Sequence, residues 1–573
     1  MAIEVLRELV ENDVAIRLDL SEQILELVMP DEDRDRGAEL SPIPESFSSL
    51  VSASVLSQKA KQFDDALYAA VEVAVQRGLG NITSRLDLFR AWATAALDAR
   101  EHGNAACKLF AACNLGGAHL PLSSEVSAQV QRVIDRFLAD EGQSTPLGFY
   151  SQTEQLASIF RQNRLLMTEL GDPESSDALA RLVAGDASLL RAYRSILALA
   201  AKMTNPPSAD FHDLLRAGDK TARRILVPSR SHEADLVDRL YGGGPIPSGF
   251  DLAEELASRV EAGSLSLVPT EDSGWYDHQI WALEPLVAPD RARERTRMRL
   301  SSGYRRYLRG LFKGLYAQMK ETHLMLIGPP LCGTTTRRSP LRIPVRPDLT
   351  AEPLATYYAR RARSYSFVRG VLQDAFGSRW RDLVFTDVLT AWNRVDEGLD
   401  GMEAIFHGAH VRVCRELGFQ NEVTVMPHRN PDSDDASFRT WVGGIERDPD
   451  LSRDTRMMVP VFYDPQRQQT KVWVLLGWSS RPLTVQFHRP PRVLEMRSMQ
   501  RQERPEEPRR RSKKTLDDDA APEIDFVAAN HDVAVPVTAE IYVSRLLDRE
   551  AFRRLCDERK TRSAILNALT APK

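Results

Sequence analysis

Cysteine is scarce in this 573-residue chain: Cys107, Cys113, Cys332, Cys414 and Cys556 are its five, widely separated. That spacing excludes a disulfide scaffold and a Cys-x-x-Cys pair, and it fits reduced thiols in a cytoplasmic protein. Long apolar runs are missing too. No stretch approaches the ~18 residues that span a bilayer, so no membrane partner is expected. The start, MAIEVLRELVENDVAIRL, is acidic with helical spacing where a signal peptide needs a basic start and an apolar run. One sign of charge does not dominate, because 75 Lys and Arg oppose 80 Asp and Glu for a net −5. A uniformly basic protein is therefore excluded. Also absent are a Gly-x-Ser-x-Gly elbow and a His-Glu-x-x-His helix, which removes the common hydrolase and metalloprotease templates.

What the chain does have is helical periodicity. In Ser57 to Arg77, Phe63, Ala66, Leu67, Ala70, Val71 and Ala74 recur three or four apart, with Gly78 and Gly80 as stops. Similar patterns run from Val126 to Lys320 and from Leu354 to about Leu417. Ala-rich stretches show no fixed repeat period. Beyond 421 the pattern changes to short runs rich in Val, Phe, Tyr and Trp: VTVM, FRTWVGG, RMMVPVFYD, KVWVLLGW and PLTVQFH. Asp464-Pro465 suits a hairpin between Met457–Tyr463 and Thr470–Trp478. Residues 501–524 are charged, Pro-containing and poor in apolar groups, which reads as a linker. A strand over Val533–Val543 and a helix capped by Asp548 follow. The expected fold class is mainly α, a multi-helical body with a small antiparallel β-sheet near the C-terminus (α+β). The expected parts are an N-terminal helical region (1–125), a central helical body (126–420), an antiparallel β region (421–500), the charged linker (501–524) and a tail (525–573) that packs back.

Several segments in order resemble a large uncharacterised bacterial family, one of the domain-of-unknown-function groups. TPLGFYSQTEQLASIFRQNRLLM is similar to its Gly-x-Tyr-x-x-Ser-Glu segment, with Gly148, Tyr150 and Glu154 in place and Thr153 where the family has Ser. RILVPSRSHEADLVDRLYGG then leads to a Pro-Ser-Gly-x-Asp turn at Pro247, Ser248, Gly249 and Asp251. WYDHQIWALEPL, a helix ending KETHLML, and EPLATYYARRA complete the series over about residues 125–380. The family commonly carries Arg-His-Asp-Thr where this chain has Lys320-Glu321-Thr322-His323, and many of its members look exported. The resemblance implies a fold and brings no established activity.

Four features bear on function. From Arg291 to Trp380 there are 19 Lys and Arg against five acids, a net of +14 that leaves −19 for the rest. Its arginines, notably Arg297, Arg299, Arg305, Arg306, Arg309, Arg360 and Arg361, lie among tyrosines and suit an anionic partner, protein or nucleic acid. Internal pairing with acidic surface is the plainer account. GPPLCGTT at 328–335 lacks the lysine of a phosphate-binding loop, so no nucleotide is expected there. Glu403, His407, His410 and Cys414 share one helix face, but one helix seldom completes a four-ligand site, so no metal is expected. For acid–base chemistry the cluster is Glu154, Asp251, Asp277, His278, Glu321 and His323, with Tyr150 beside it. A hydrogen-bonded packing network is the alternative. The sheet's tryptophans, Trp441, Trp473 and Trp478, read as core. No cofactor is expected, and oligomeric state is not legible. The leading reading is a cytoplasmic binding or scaffold protein whose arginine-rich region meets an anionic partner. The alternative is an enzyme using the carboxylate–histidine cluster, metal-assisted if His407 and His410 ligate.

Overall fold

The computed structural model describes residues 14–19, 24–30, 39–44, 50–208, 223–242, 244, 246–247, 249–325, 347, 349–385, 390, 392–419, 426–464, 466–489, 491–498 and 526–571. The 328–335 loop, Cys332, most of VTVM and the 501–524 segment lie outside them. The fold is mainly α with a small sheet, as composition and periodicity lead one to expect. Its first helices are α1 (Ala53–Arg77), α2 (Arg85–Asp98), α3 (Asn104–Leu115), α4 (Ser124–Ala139), α5 (Glu141–Ser144) and α6 (Glu154–Leu166). They continue as α7 (Pro173–Gly185), α8 (Ala187–Met203), α9 (His232–Tyr241), α10 (Leu252–Ala262), α11 (Trp275–Trp281) and α12 (Glu284–Val287). Next come α13 (Ser302–Thr322), α14 (Ala355–Phe376), α15 (Val395–Leu417) and α16 (Pro431–Val442), and the tail adds α17 (Arg549–Arg559) and α18 (Arg562–Thr570).

The strands are β1 (Val14–Asp19), β2 (Leu25–Val28), β3 (Met298–Leu300), β4 (Met457–Asp464), β5 (Gln469–Phe487), β6 (Arg492–Ser498) and β7 (Ala529–Val543). The main sheet runs β3-β2-β5-β4, and β7 also pairs with β5. β4 and β7 pair antiparallel to β5, with Val459 opposite Trp473 and Glu540 opposite Trp473. One pairing, β2 with β3, is parallel, so the sheet is mixed. β1 and β6 form a separate antiparallel pair.

Two expectations need correction. VAIRLD belongs to β1 and not to an N-terminal helix, because its alternation of Val, Ile and Leu suits a strand better than a turn of helix. FRTWVGG belongs to α16 and its exit, so Trp441 is not a sheet residue. Asn430 caps α16 by accepting from the Asp432 and Ser433 amides, with Pro431 in the first turn. That start signal outweighs the strand propensity of Phe, Thr, Trp and Val.

Helix α1 runs through the centre and is buried on nearly every side, including Lys59, Lys61, Asp64 and Asp65. Such charges enter a core only when paired. Lys59 meets Asp450 at 2.7 Å, and Lys61 meets Asp65 at 2.6 Å and Glu321 at 2.8 Å. Arg549, from α17, closes this group on Glu321 at 2.5 Å and on Asp65 at 3.2 Å. Asp64 takes Arg361 at 2.9 Å, the Tyr365 hydroxyl at 2.9 Å and the Gln279 amide at 2.8 Å. Gly148 sits at φ +57°, and a Cβ there would meet the Glu321 carbonyl oxygen at 3.2 Å. Glycine thus lets the 148–151 turn lie against α13.

Candidate functional site

The residues singled out by sequence do not converge. Glu154 is exposed and pairs with Arg161 at 2.7 Å. Asp251 caps α10, accepting from the Glu254 amide at 2.7 Å. Asp277 takes its hydrogen bonds from groups other than its neighbour His278. It accepts from Asn205 at 2.6 Å and the Ser273 hydroxyl at 2.7 Å, and lies 3.4 Å from His232 Nε2. The carboxylate stands between the serine and the histidine, so this group lacks the serine–histidine contact of a nucleophilic triad. His278 stacks on Phe367 with ring centres 4.0 Å apart. Glu321 is held by Lys61 and Arg549, and His323 is buried between Thr204 at 3.2 Å and Gln279 at 2.9 Å. Tyr150 is buried within the aromatic core.

Most of the arginines have internal partners. Arg305 binds Asp290 at 2.8 Å, and Arg309 reaches Glu254 at 2.6 Å and Glu261 at 2.7 Å. Arg360 meets Glu284 at 2.6 Å and stacks over Trp281, while Arg361 is buried on Asp64. Arg297 lies over the Phe419 ring; Arg299 and Arg306 are exposed. In the α15 face His407 pairs with Asp434 at 2.7 Å, and His410 with the Ala355 carbonyl at 2.9 Å. Cys414 lies 3.7 Å from His410, and Glu403 is taken by Arg369 at 2.8 Å and Ser366 at 2.7 Å. Among the described residues no three His, Cys, Asp or Glu side chains are placed to hold a metal ion.

A different place has the shape of a site. A cleft of about 690 Å³ opens between α9, the start of α10 and the β4–β5 hairpin. Its walls are largely apolar, with Val237, Tyr241, Ile246, Leu252, Val461 and Phe462. Its floor is charged: Glu233 from α9 and Lys320 from α13 are in contact there, both buried. The local sequence sets this up. Ser231 caps α9 by accepting from the Ala234 amide, which places Glu233 in the first turn, where the helix dipole favours a carboxylate. Tyr316 and Lys320 are four apart on α13 and so reach the same neighbour. The Tyr316 hydroxyl donates to Glu233 Oε2 at 2.8 Å, and that of Tyr276 to Oε1 at 3.3 Å. Lys320 Nζ also lies 5.8 Å from the centre of the Trp473 ring. Burial pushes its pKa well below the ordinary lysine range.

The wall behind the floor is braced. Glu540 of β7 accepts from Trp473 Nε1 at 2.7 Å, from the Leu252 amide at 3.2 Å and from Lys471 at 2.9 Å. Strand, helix cap and hairpin are thereby fixed around the opening. Sequence reasoning missed Glu233, which reads as a solvated first-turn acid. Lys320 carried a signal, a charge in register with Tyr316 on an apolar helix face. No family model matches the chain, and no curated protein or solved structure matches it either.

Proposed function

We propose that this protein binds a small molecule with an apolar body and a polar head in the cleft between α9 and the β4–β5 hairpin. The observation that carries this reading is the cleft itself: about 690 Å³, apolar in its walls, with one buried Glu233–Lys320 pair at its floor. That volume falls in the range typical of small-molecule sites, where a few convergent polar groups orient the guest. The apolar walls bury the body of the guest, and the floor pair offers both a donor and an acceptor to its head. An anionic macromolecule is the weaker reading, because Arg305, Arg309, Arg360 and Arg361 already meet carboxylates.

Ala234 lines the cleft and is exposed there, so Ala234→Trp fills it without disturbing the core. Titration with the amphipathic dye 1-anilinonaphthalene-8-sulfonate is expected to saturate near one site per wild-type chain and to lose that site in Ala234→Trp. Equal binding by both proteins would remove the cleft as the site.

A further inference from the structure

Lys320 is buried, with Glu233 as its one carboxylate partner among the described residues, the face of Trp473 nearby, and a place in the lining of the cleft floor. Glu233 is held in place by two tyrosine hydroxyls, so its contact with the amine is fixed in direction. A buried amine in contact with a base, at the floor of a cleft, has what nucleophilic lysines need: the base takes a proton and the free amine attacks. The depressed lysine pKa agrees with this, since it lowers the cost of releasing that proton.

We propose that Lys320 condenses with the carbonyl carbon of an apolar aldehyde seated in the cleft, giving an imine, with Glu233 as the proton carrier. This rests on the reading of the cleft as a small-molecule site. Glu233 takes one proton from the Lys320 ammonium, and the amine nitrogen forms a bond to the carbonyl carbon. The carbonyl oxygen takes a proton from the attacking nitrogen to become a hydroxyl, and leaves as water on receiving the proton that Glu233 had taken, so that the imine is formed protonated. The carbon–oxygen bond breaks as the second carbon–nitrogen bond forms. Amine and aldehyde give imine and water, and no oxidant or reductant enters. Apolar walls at Val237, Ile246, Leu252 and Phe462 select an aldehyde with a hydrocarbon body.

The test is reductive trapping of the full chain with hexanal and borohydride, followed by peptide mapping over its twelve lysines. One hexyl group per chain at Lys320 is expected at low aldehyde, ahead of the exposed Lys560. Glu233→Gln is expected to slow labelling of Lys320 by about 100-fold, the usual scale for a positioned acid–base group. Ala234→Trp should suppress it while leaving Lys560 unchanged, and circular dichroism confirms that each variant is folded. If the dye binds wild type saturably and Lys320 stays unlabelled, the imine is wrong and the cleft reading survives. If neither dye nor hexanal distinguishes wild type from Ala234→Trp, both fail. Undiminished Lys320 labelling in folded Glu233→Gln would overturn the role of the carboxylate.

Discussion

Burial lowers the pKa of three described histidines, His278, His410 and, most strongly, His323, whose ring is pushed well below the ordinary range. Burial brings His278 down to about 4, with Asp277 opposing it, and His410 also to about 4, against the hydrogen bond to the Ala355 carbonyl. In the unfolded chain each of these two binds a proton near pH 6.5, whereas the folded chain does not until about pH 4. The unfolded state therefore takes up protons first, and the stability these two carry falls as pH drops from 6.5 to 4 and then levels. His278→Phe keeps the stack on Phe367 and removes one of these groups, so its thermal midpoint should decline less over that window; an unchanged slope would show that His278 titrates normally. Glu321 is governed differently. Burial alone would raise it, but Arg549 and Lys61 bring its carboxyl down to about 2. Its contribution is present above about pH 4.5 and is lost as pH falls toward 2. Arg549→Met leaves two buried carboxylates short of a cation, a loss expected to cost about 3–5 kcal/mol in urea unfolding at pH 7 and to move acid unfolding to higher pH. A cost below about 1 kcal/mol would mean that Asp65 and Glu321 are satisfied without it.

Helix α1 shows what a single sequence conveys about an element and what it omits. Its apolar spacing over Phe63, Ala66, Leu67, Ala70 and Val71 marks a helix, and Gly78 marks its end. Lys59, Lys61, Asp64 and Asp65 then read as the solvated face, yet all four are buried. Apart from the Lys61–Asp65 pair within the helix, their partners come from the 448–450 turn, α13, α14 and α17, hundreds of residues away, which no local pattern can announce. Periodicity reports which residues share a face and is silent about a second face that packs through ion pairs. Glycine in α15 teaches the same lesson. Gly408 weakens a helix by itself, but here a Cβ would strike the Asp434 carbonyl oxygen and the Phe438 side chain of α16. The missing side chain is what lets α15 and α16 touch. Gly408→Ala should therefore cost about 1–3 kcal/mol by overpacking, despite the better helix propensity of alanine. A stabilised variant in thermal melts would show that the two helices separate easily.

At the scale of the molecule, much of the basic stretch that is described pairs with carboxylates of the same chain. The basic stretch supplies Arg305, Arg309, Arg360 and Arg361, and their carboxylates come from α10, α12, the turn at Asp290 and α1. The cleft has the same long-range origin: α9, α13 and β4 are separated in the chain, and only the fold brings Glu233, Lys320 and Phe462 to one opening. A site built in this way leaves no motif. The tail ties these parts together. β7 pairs with β5 from Val543 opposite Thr470 to Ala529 opposite Val485, its Glu540 braces the cleft wall, and Arg549 neutralises the centre. Without the tail, β5 loses a neighbour along most of its length, and Asp65 and Glu321 lose their arginine. A chain ending at Ser498 is therefore expected to lack a cooperative melt and the dye site. Supplying residues 525–573 as a separate chain should restore both, because the contacts are strand pairing and ion pairs that need no covalent link. Gel filtration followed by a thermal melt reads the result, and a cooperative melt from the truncated chain alone would place the tail outside the folding unit.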